Sequence, residues 1–208
     1  VIIDDDEPTL TIANETVSES NSTGTFTVTL DKAAASDVTV VYNIADGSSN
    51  GAIDGTDYTA VTGTLTITAG ATSGEIEVPV ILDSTDEVDE TATLTLSSAT
   101  SATIDGDTTT ADFVITDDDD TPSITIADQS VDEAGTATFT ATLSGPSSSD
   151  VTVVYTSSSG TATDGTDYTG ATNTLTIPAG SISGTFTVVT TADTDNEVDE
   201  TASVTLSS

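Results

Sequence analysis

A chain of 208 residues with 36 acidic side chains, one basic side chain (Lys32) and no histidine carries a formal net charge of −35. That balance excludes nucleic acid and anionic membrane surfaces as partners, because both are held through Lys and Arg. With neither Cys nor His, disulfides, thiolate or imidazole metal sites and nucleophilic triads are all excluded, so any metal must be bound by oxygen alone, calcium before magnesium.

The chain opens on Val1-Ile2-Ile3, which runs into Asp4-Asp5-Asp6-Glu7-Pro8. The same join returns at Val114-Ile115-Thr116-Asp117-Asp118-Asp119-Asp120-Thr121-Pro122. Each acid run is followed by a short alternating segment, Thr9-Leu10-Thr11-Ile12-Ala13 or Ser123-Ile124-Thr125-Ile126-Ala127. The acids therefore mark where one module stops and the next begins. Between the joins, Asp37-Val38-Thr39-Val40-Val41-Tyr42 recurs as Asp150-Val151-Thr152-Val153-Val154-Tyr155. Asp54-Gly55-Thr56-Asp57-Tyr58, Thr64-Leu65-Thr66-Ile67 and Glu87-Val88-Asp89-Glu90-Thr91-Ala92 all recur 110 residues later. A period of that size is a whole domain rather than one turn of a solenoid.

Within each copy the apolar period is two. Phe26, Val28 and Leu30 alternate with Thr, as do Val38, Val40 and Tyr42, then Leu65 and Ile67, then Ile76, Val78 and Val80, then Leu94 and Leu96. Each run is about 4–8 residues long and is bounded by Gly, Ser, Asp or Asn. No segment shows the helical period. About seven such strands in roughly 110 residues predict an all-β chain of tandem, immunoglobulin-like antiparallel β-sandwiches, with Thr on the wet faces.

These marks divide the chain into three parts. Residues 1–8 read as the last strand and acidic linker of a preceding repeat, 9–120 as a first repeat, and 121–208 as a second repeat lacking its final strand and closing acid run. The chain opens in mid-pattern, which reads as a window on a longer protein. Two explanations of the displaced strand stand side by side. One is a piece of a tandem array, and the other is strand addition, in which Val1–Ile3 of one chain completes the sandwich of a neighbouring copy.

Adjacent carboxylates repel, at about 4 kcal/mol for two charges about 4 Å apart in an effective dielectric near 20. One lysine cannot offset that around two acid runs. Asp4, Asp5 and Asp6, like Asp117, Asp118 and Asp119, are therefore read as cation ligands rather than as a solvated face. Asp83, Asp193, Glu87 and Glu197 fit either role. Asp46, Asp105, Asp107 and Asp128 read as turn residues. Tyr58 and Tyr168 are expected to pack inward and hold the adjacent Asp57 and Asp167 at the end of the sandwich.

The combination of motifs resembles the Calx-beta domain, the family that includes the regulatory calcium-binding domains of sodium–calcium exchangers and tandem copies in large extracellular adhesion proteins. It consists of Val-Ser-Glu ending at Glu19 or Val-Asp-Glu ending at Glu133, then Gly-Thr-Asp-Tyr, then Asp followed by Glu-x-Asp-Glu-Thr, and a strand ending in an aspartate run. The resemblance implies a calcium cluster at one end of the sandwich, built from Glu19, Asp57, Asp83, Glu87, Asp117, Asp118 and Asp119. In the second copy it implies Glu133, Asp167, Asp193 and Glu197, with the closing aspartates missing. Ser84 follows Asp83 and Thr194 follows Asp193, where calcium-regulated members carry a second Asp.

The expected function is structural: an extracellular or cell-surface stalk, spacer or filament subunit, stiffened by calcium at inter-domain acid clusters, whose partners are neighbouring copies of the same repeat. The alternative is an adhesin-type module recognising a glycan, another surface ligand or ice through rows such as Thr62, Thr64, Thr66 and Thr68. Against it stand the absence of Trp and the presence of only 4 Tyr and 4 Phe. An enzyme is not expected, since paired carboxylates on loop ends lack the apolar pocket that raises the pKa of one of them. No stretch is apolar enough for membrane insertion, and Lys32 reads as an ordinary loop lysine.

Overall fold

The computed structural model describes residues 6–48, 50–194 and 198–207, and every regular element in it is a strand. The chain forms two compact units. One reaches to Asp83 and takes in Val88–Asp118. The other consists of Ser84–Glu87 and the chain from Asp119 onward.

The first unit contains β1 (Thr9–Ile12), β2 (Glu15–Ser18), β3 (Thr23–Leu30), β4 (Val38–Ala45), β5 (Thr62–Ile67), β6 (Ser73–Pro79), β7 (Glu90–Thr100), β8 (Thr103–Ile104) and β9 (Thr110–Thr116). Its strands form two sheets, ordered β6-β3-β1-β8 and β2-β9-β7-β4-β5. The period-two pattern does what it predicts: along β3, Phe26, Val28 and Leu30 are buried while Thr27 and Thr29 are exposed. The buried faces of the two sheets form one core around Phe26, Tyr58 and Phe113. The Phe26 and Phe113 rings lie 5.6 Å apart, and Tyr58 meets Phe113 edge-on at 6.3 Å. Gly24 is required here, because a side chain on it would run into the Phe113 ring.

Two features exceed the alternation. β7 runs for 11 residues, longer than the apolar pattern predicts. Beyond a bulge in its pairing with β4, its far end still pairs Thr100 with Thr39, and their hydroxyls share a 2.6 Å hydrogen bond. The opening strand is split between sheets. β1 pairs antiparallel with β3 and parallel with β8, and after Ala13-Asn14 the chain crosses to the other sheet. There β2 runs parallel to β9, pairing Glu15 with Phe113, Thr16 with Val114, Val17 with Ile115 and Ser18 with Thr116. Asn14 fixes the crossing, its Oδ1 accepting the Asp112 N–H at 2.9 Å.

The second unit contains β10 (Ile124–Ile126), β11 (Thr136–Leu143), β12 (Val151–Ser159), β13 (Tyr168–Thr169), β14 (Thr172–Ile177), β15 (Ser183–Thr190) and β16 (Ala202–Ser207). Its sheets are ordered β10-β11-β15-β13 and β14-β12-β16. Phe186 stacks between Tyr155 (4.0 Å) and Phe139 (5.2 Å) at the centre. The segment 84–87 is tied to this unit through Asp86, whose N–H donates to Pro146 O at 3.3 Å and whose O accepts the Ser148 N–H at 3.0 Å. β16 corresponds to β7, but among the described residues no strand pairs with its outer edge. The core thins there: Leu94 and Leu96 are 0% and 3% exposed, whereas Val204 and Leu206 are only half-buried.

Candidate metal centre

The loop between β4 and β5 shows how the sequence places a carboxylate. Gly55 adopts φ +83°, a left-handed conformation that suits glycine. The turn closes on itself: Gly55 N–H donates to Tyr58 O at 2.8 Å, and Asp57 N–H to Ile53 O at 3.0 Å. Asp57 Oδ2 accepts the Ile53 N–H at 2.6 Å. Outside the turn, Asp57 O accepts the Ile81 N–H at 2.9 Å. Tyr58, fully buried, anchors the loop, and its hydroxyl donates to Asp46 Oδ1 at 2.8 Å. The second unit repeats this geometry. Gly165 has φ +87°, its N–H donates to Tyr168 O at 2.8 Å, and Asp167 Oδ2 accepts the Thr163 N–H at 2.6 Å.

Burial is the main force holding the Tyr58 hydroxyl neutral, pushing its pKa well above the usual phenol range, and the Asp46 hydrogen bond and the charges of Asp46, Asp54 and Asp57 add to it. The folded value is raised, so this contribution is fully present below about pH 10, the unfolded value, and is lost as pH rises from there towards the folded value. Tyr58→Phe is expected to destabilise the first unit at pH 7 by about 1.5–3 kcal/mol, the scale of a hydrogen bond to a charged group. Urea titrations of both proteins should show that gap narrowing above pH 10. A gap constant across the range would contradict the assignment.

Glu19 is the other buried acid. It follows β2 directly, its N–H donates to Thr116 O at 2.9 Å, and its Oε1 accepts the Asp83 N–H at 3.2 Å. Glu19 and Asp57 are each only 7% exposed. Around them, three groups of carboxylates each bring one oxygen per residue within 4.8 Å of the others: Glu19 with Asp117 and Asp119, Glu19 with Asp83 and Glu87, and Asp57 with Glu87 and Glu90. Two oxygens bound to one calcium ion are at most about 5.2 Å apart, since each bond is about 2.3–2.6 Å, and all three groups fall within that limit. The oxygen-only donor set and its spacing therefore fit a hard divalent cation. The protein's single basic side chain leaves it little positive charge of its own for so many acids.

The sequence-derived residues divide clearly. Glu19, Asp57, Asp83, Glu87, Asp117 and Asp119 are gathered. Asp118 lies beside them in another role, its Oδ1 accepting the Ser20 N–H at 3.1 Å. Asp6 is exposed and belongs to none of the three groups, and Asp4, Asp5 and Glu197 lie outside the described residues. In the second repeat Glu133 and Asp193 are exposed and Asp167 is half-buried, and no group forms among its described residues. Glu90 was missed. It opens β7 opposite Ile115 of β9 and joins Asp57 and Glu87, and the Glu-x-Asp-Glu spacing was the available signal. Asp46, expected as a turn residue, also caps the Asp54 N–H at 2.9 Å while accepting from Tyr58.

Two tandem all-β sandwiches, the first with clustered carboxylates at the ends of its strands, define a class of acidic, oxygen-ligand module. The sequence profile of the Calx-beta domain matches residues 4–119 and 117–208, and the chain belongs to that family. Among solved structures, CBD12 from CALX1.2 is similar at 20% identity, covering 96% of this chain and 79% of that one with a TM-score of 0.49. The apo form of the Calx CBD1 domain is 23% identical, covering 55% of this chain and 100% of that one, TM-score 0.49. The calcium binding domain CBD12 of CALX1.1 is 22% identical, covering 86% and 75%, TM-score 0.48. No curated protein sequence matches. Among the described residues no helix is long and apolar enough to cross a membrane.

Proposed function

We propose that the first repeat binds calcium and that the chain is a structural repeat of an extracellular or cell-surface protein, a stalk or spacer that the ion stiffens. The observation that carries this is the pair of buried carboxylates, Glu19 and Asp57, each held within 4.8 Å of other acid oxygens. Glu19, Asp83, Glu87, Asp117 and Asp119 would hold one part of the cation cluster, and Asp57 and Glu90, sharing Glu87, the other. The ion supplies positive charge that offsets repulsion among these groups. It also ties loop oxygens to the acid run that leads out of the repeat. A free run of like charges self-repels and extends. Tied down, it has fewer orientations.

Extracellular calcium modules bind at about 10⁻⁴ to 10⁻³ M, so millimolar surroundings suffice. Titration calorimetry of the full chain with calcium chloride tests binding, and small-angle scattering with and without chelator tests stiffening. Saturable heat with a narrower distance distribution supports the proposal. No heat at millimolar calcium ends it, and heat with unchanged scattering leaves a calcium protein that is not a calcium-stiffened one. Strand addition between copies would act on the outer edge of β16, which pairs with no strand among the described residues. Sedimentation velocity across a concentration series checks it, with a strictly monomeric chain as the contrary result.

A further inference from the structure

We propose that the parallel β2–β9 ladder makes the first repeat a tension-bearing clamp. Tension on a tandem chain enters this repeat through Glu7-Pro8 and leaves through Thr116-Asp117. β2 and β9 point the same way. Pulling the entry side drags β2 towards its own start, and pulling the exit side drags β9 towards its own end. The two strands are therefore loaded along their length, and the four residue pairs from Glu15↔Phe113 to Ser18↔Thr116 must yield together. An antiparallel hairpin pulled at its open end separates one pair at a time.

The neighbourhood resists sliding. Val17, Phe113 and Ile115 are 6%, 0% and 4% exposed, so displacement along the ladder drags apolar side chains through a packed core. A slip of one residue turns every inward side chain outward. Polar ties flank the ladder: Asn14 Oδ1 accepts the Asp112 N–H at 2.9 Å, Glu15 Oε1 accepts the Thr25 N–H at 3.2 Å, and Glu19 N–H donates to Thr116 O at 2.9 Å. β1 meets the entry load first, through its pairs with β3 and β8. The exit end of the ladder is where Glu19 and Asp117 bring their carboxylates together. A cation held there would lock that end, an addition that rests on the calcium proposal, whereas the ladder itself does not.

The chain has no cysteine, so thiol handles can be placed at will. In the full chain, Asp6→Cys with Asp120→Cys loads the ladder along its length, and Ala13→Cys with Asp107→Cys loads both strands from one end. All four positions are exposed. Single-molecule pulling at one loading rate should give a several-fold higher unfolding force for the first pair, because forced unfolding reads the barrier rather than the equilibrium stability. Equal forces in the two geometries would overturn the clamp. Repeating the first geometry with calcium and then with chelator separates the two ideas. A force that falls on chelation supports the locked end. An unchanged force, with the geometric difference intact, supports the ladder and counts against the ion.

Discussion

Chelation of calcium is expected to lower the melting temperature of the first repeat by about 10 °C and to leave the second repeat unmoved. An ion present at a hundred times its dissociation constant stabilises the folded state by about 2.7 kcal/mol. For a domain of this length, each kcal/mol moves the midpoint by about 4 °C. The second repeat gathers no carboxylate group among its described residues, and under the calcium proposal its transition serves as the internal reference. Differential scanning calorimetry with calcium and with chelator reads both transitions. The variant Glu19→Gln sharpens the test, since Gln still accepts the Asp83 N–H through its Oε1. In calcium the variant should melt lower than the parent. In chelator it should melt at the same temperature or higher, because a like charge has been removed from the cluster. A variant that melts lower in both conditions would make Glu19 a structural acid and nothing more.

Truncating Phe113 should be the most damaging single change in the first unit. It is fully buried in β9, its ring between Phe26 and Tyr58 and beneath Gly24. Removing a buried Phe side chain costs about 3–5 kcal/mol in lost transfer free energy and cavity. A whole domain is stable by only about 5–15 kcal/mol, so Phe113→Ala should bring the first unfolding transition to low urea. The matching change in the second unit, Phe186→Ala, removes the ring stacked on Tyr155 and Phe139 and should move the other transition instead. Two-transition urea curves decide it. A first-unit midpoint left in place by Phe113→Ala would mean that this core is not the one that holds β9.

The sandwich was legible in the sequence because a half-buried strand leaves a period-two record, and Phe26-Thr27-Val28-Thr29-Leu30 keeps that record to the residue. Partnership left no such record. Nothing in Glu15-Thr16-Val17-Ser18 says that it leaves the sheet of β1 to lie parallel to a strand almost a hundred residues away. Asp46 looked like a local turn former because its role, accepting from the Tyr58 hydroxyl, is a tertiary contact. Glu90 was hidden by its place at the start of a strand, where an acid looks like wet-face filler. Glu133 is the converse case. Its motif matches that of Glu19, yet it sits in a turn where Gly135 N–H donates to Asp132 O and Ala134 has φ +60°. A buried glutamate at the end of β2 needs β9 beside it, and a motif carries no information about the neighbour.

The self-closing Gly-Thr-Asp-Tyr loop separates the making of a socket from its use. Asp57 is aimed by bonds within its own turn, so its orientation is settled when the chain folds and does not wait for a ligand. Capture of an ion then requires little rearrangement of that residue, and the pace of loading is left to how fast the ion sheds its water. Asp167 sits in the same turn, equally aimed. Among its described residues the second sandwich thus keeps the mould without the company, and under the calcium proposal uptake by a copy comes down to which acids surround that one preset aspartate.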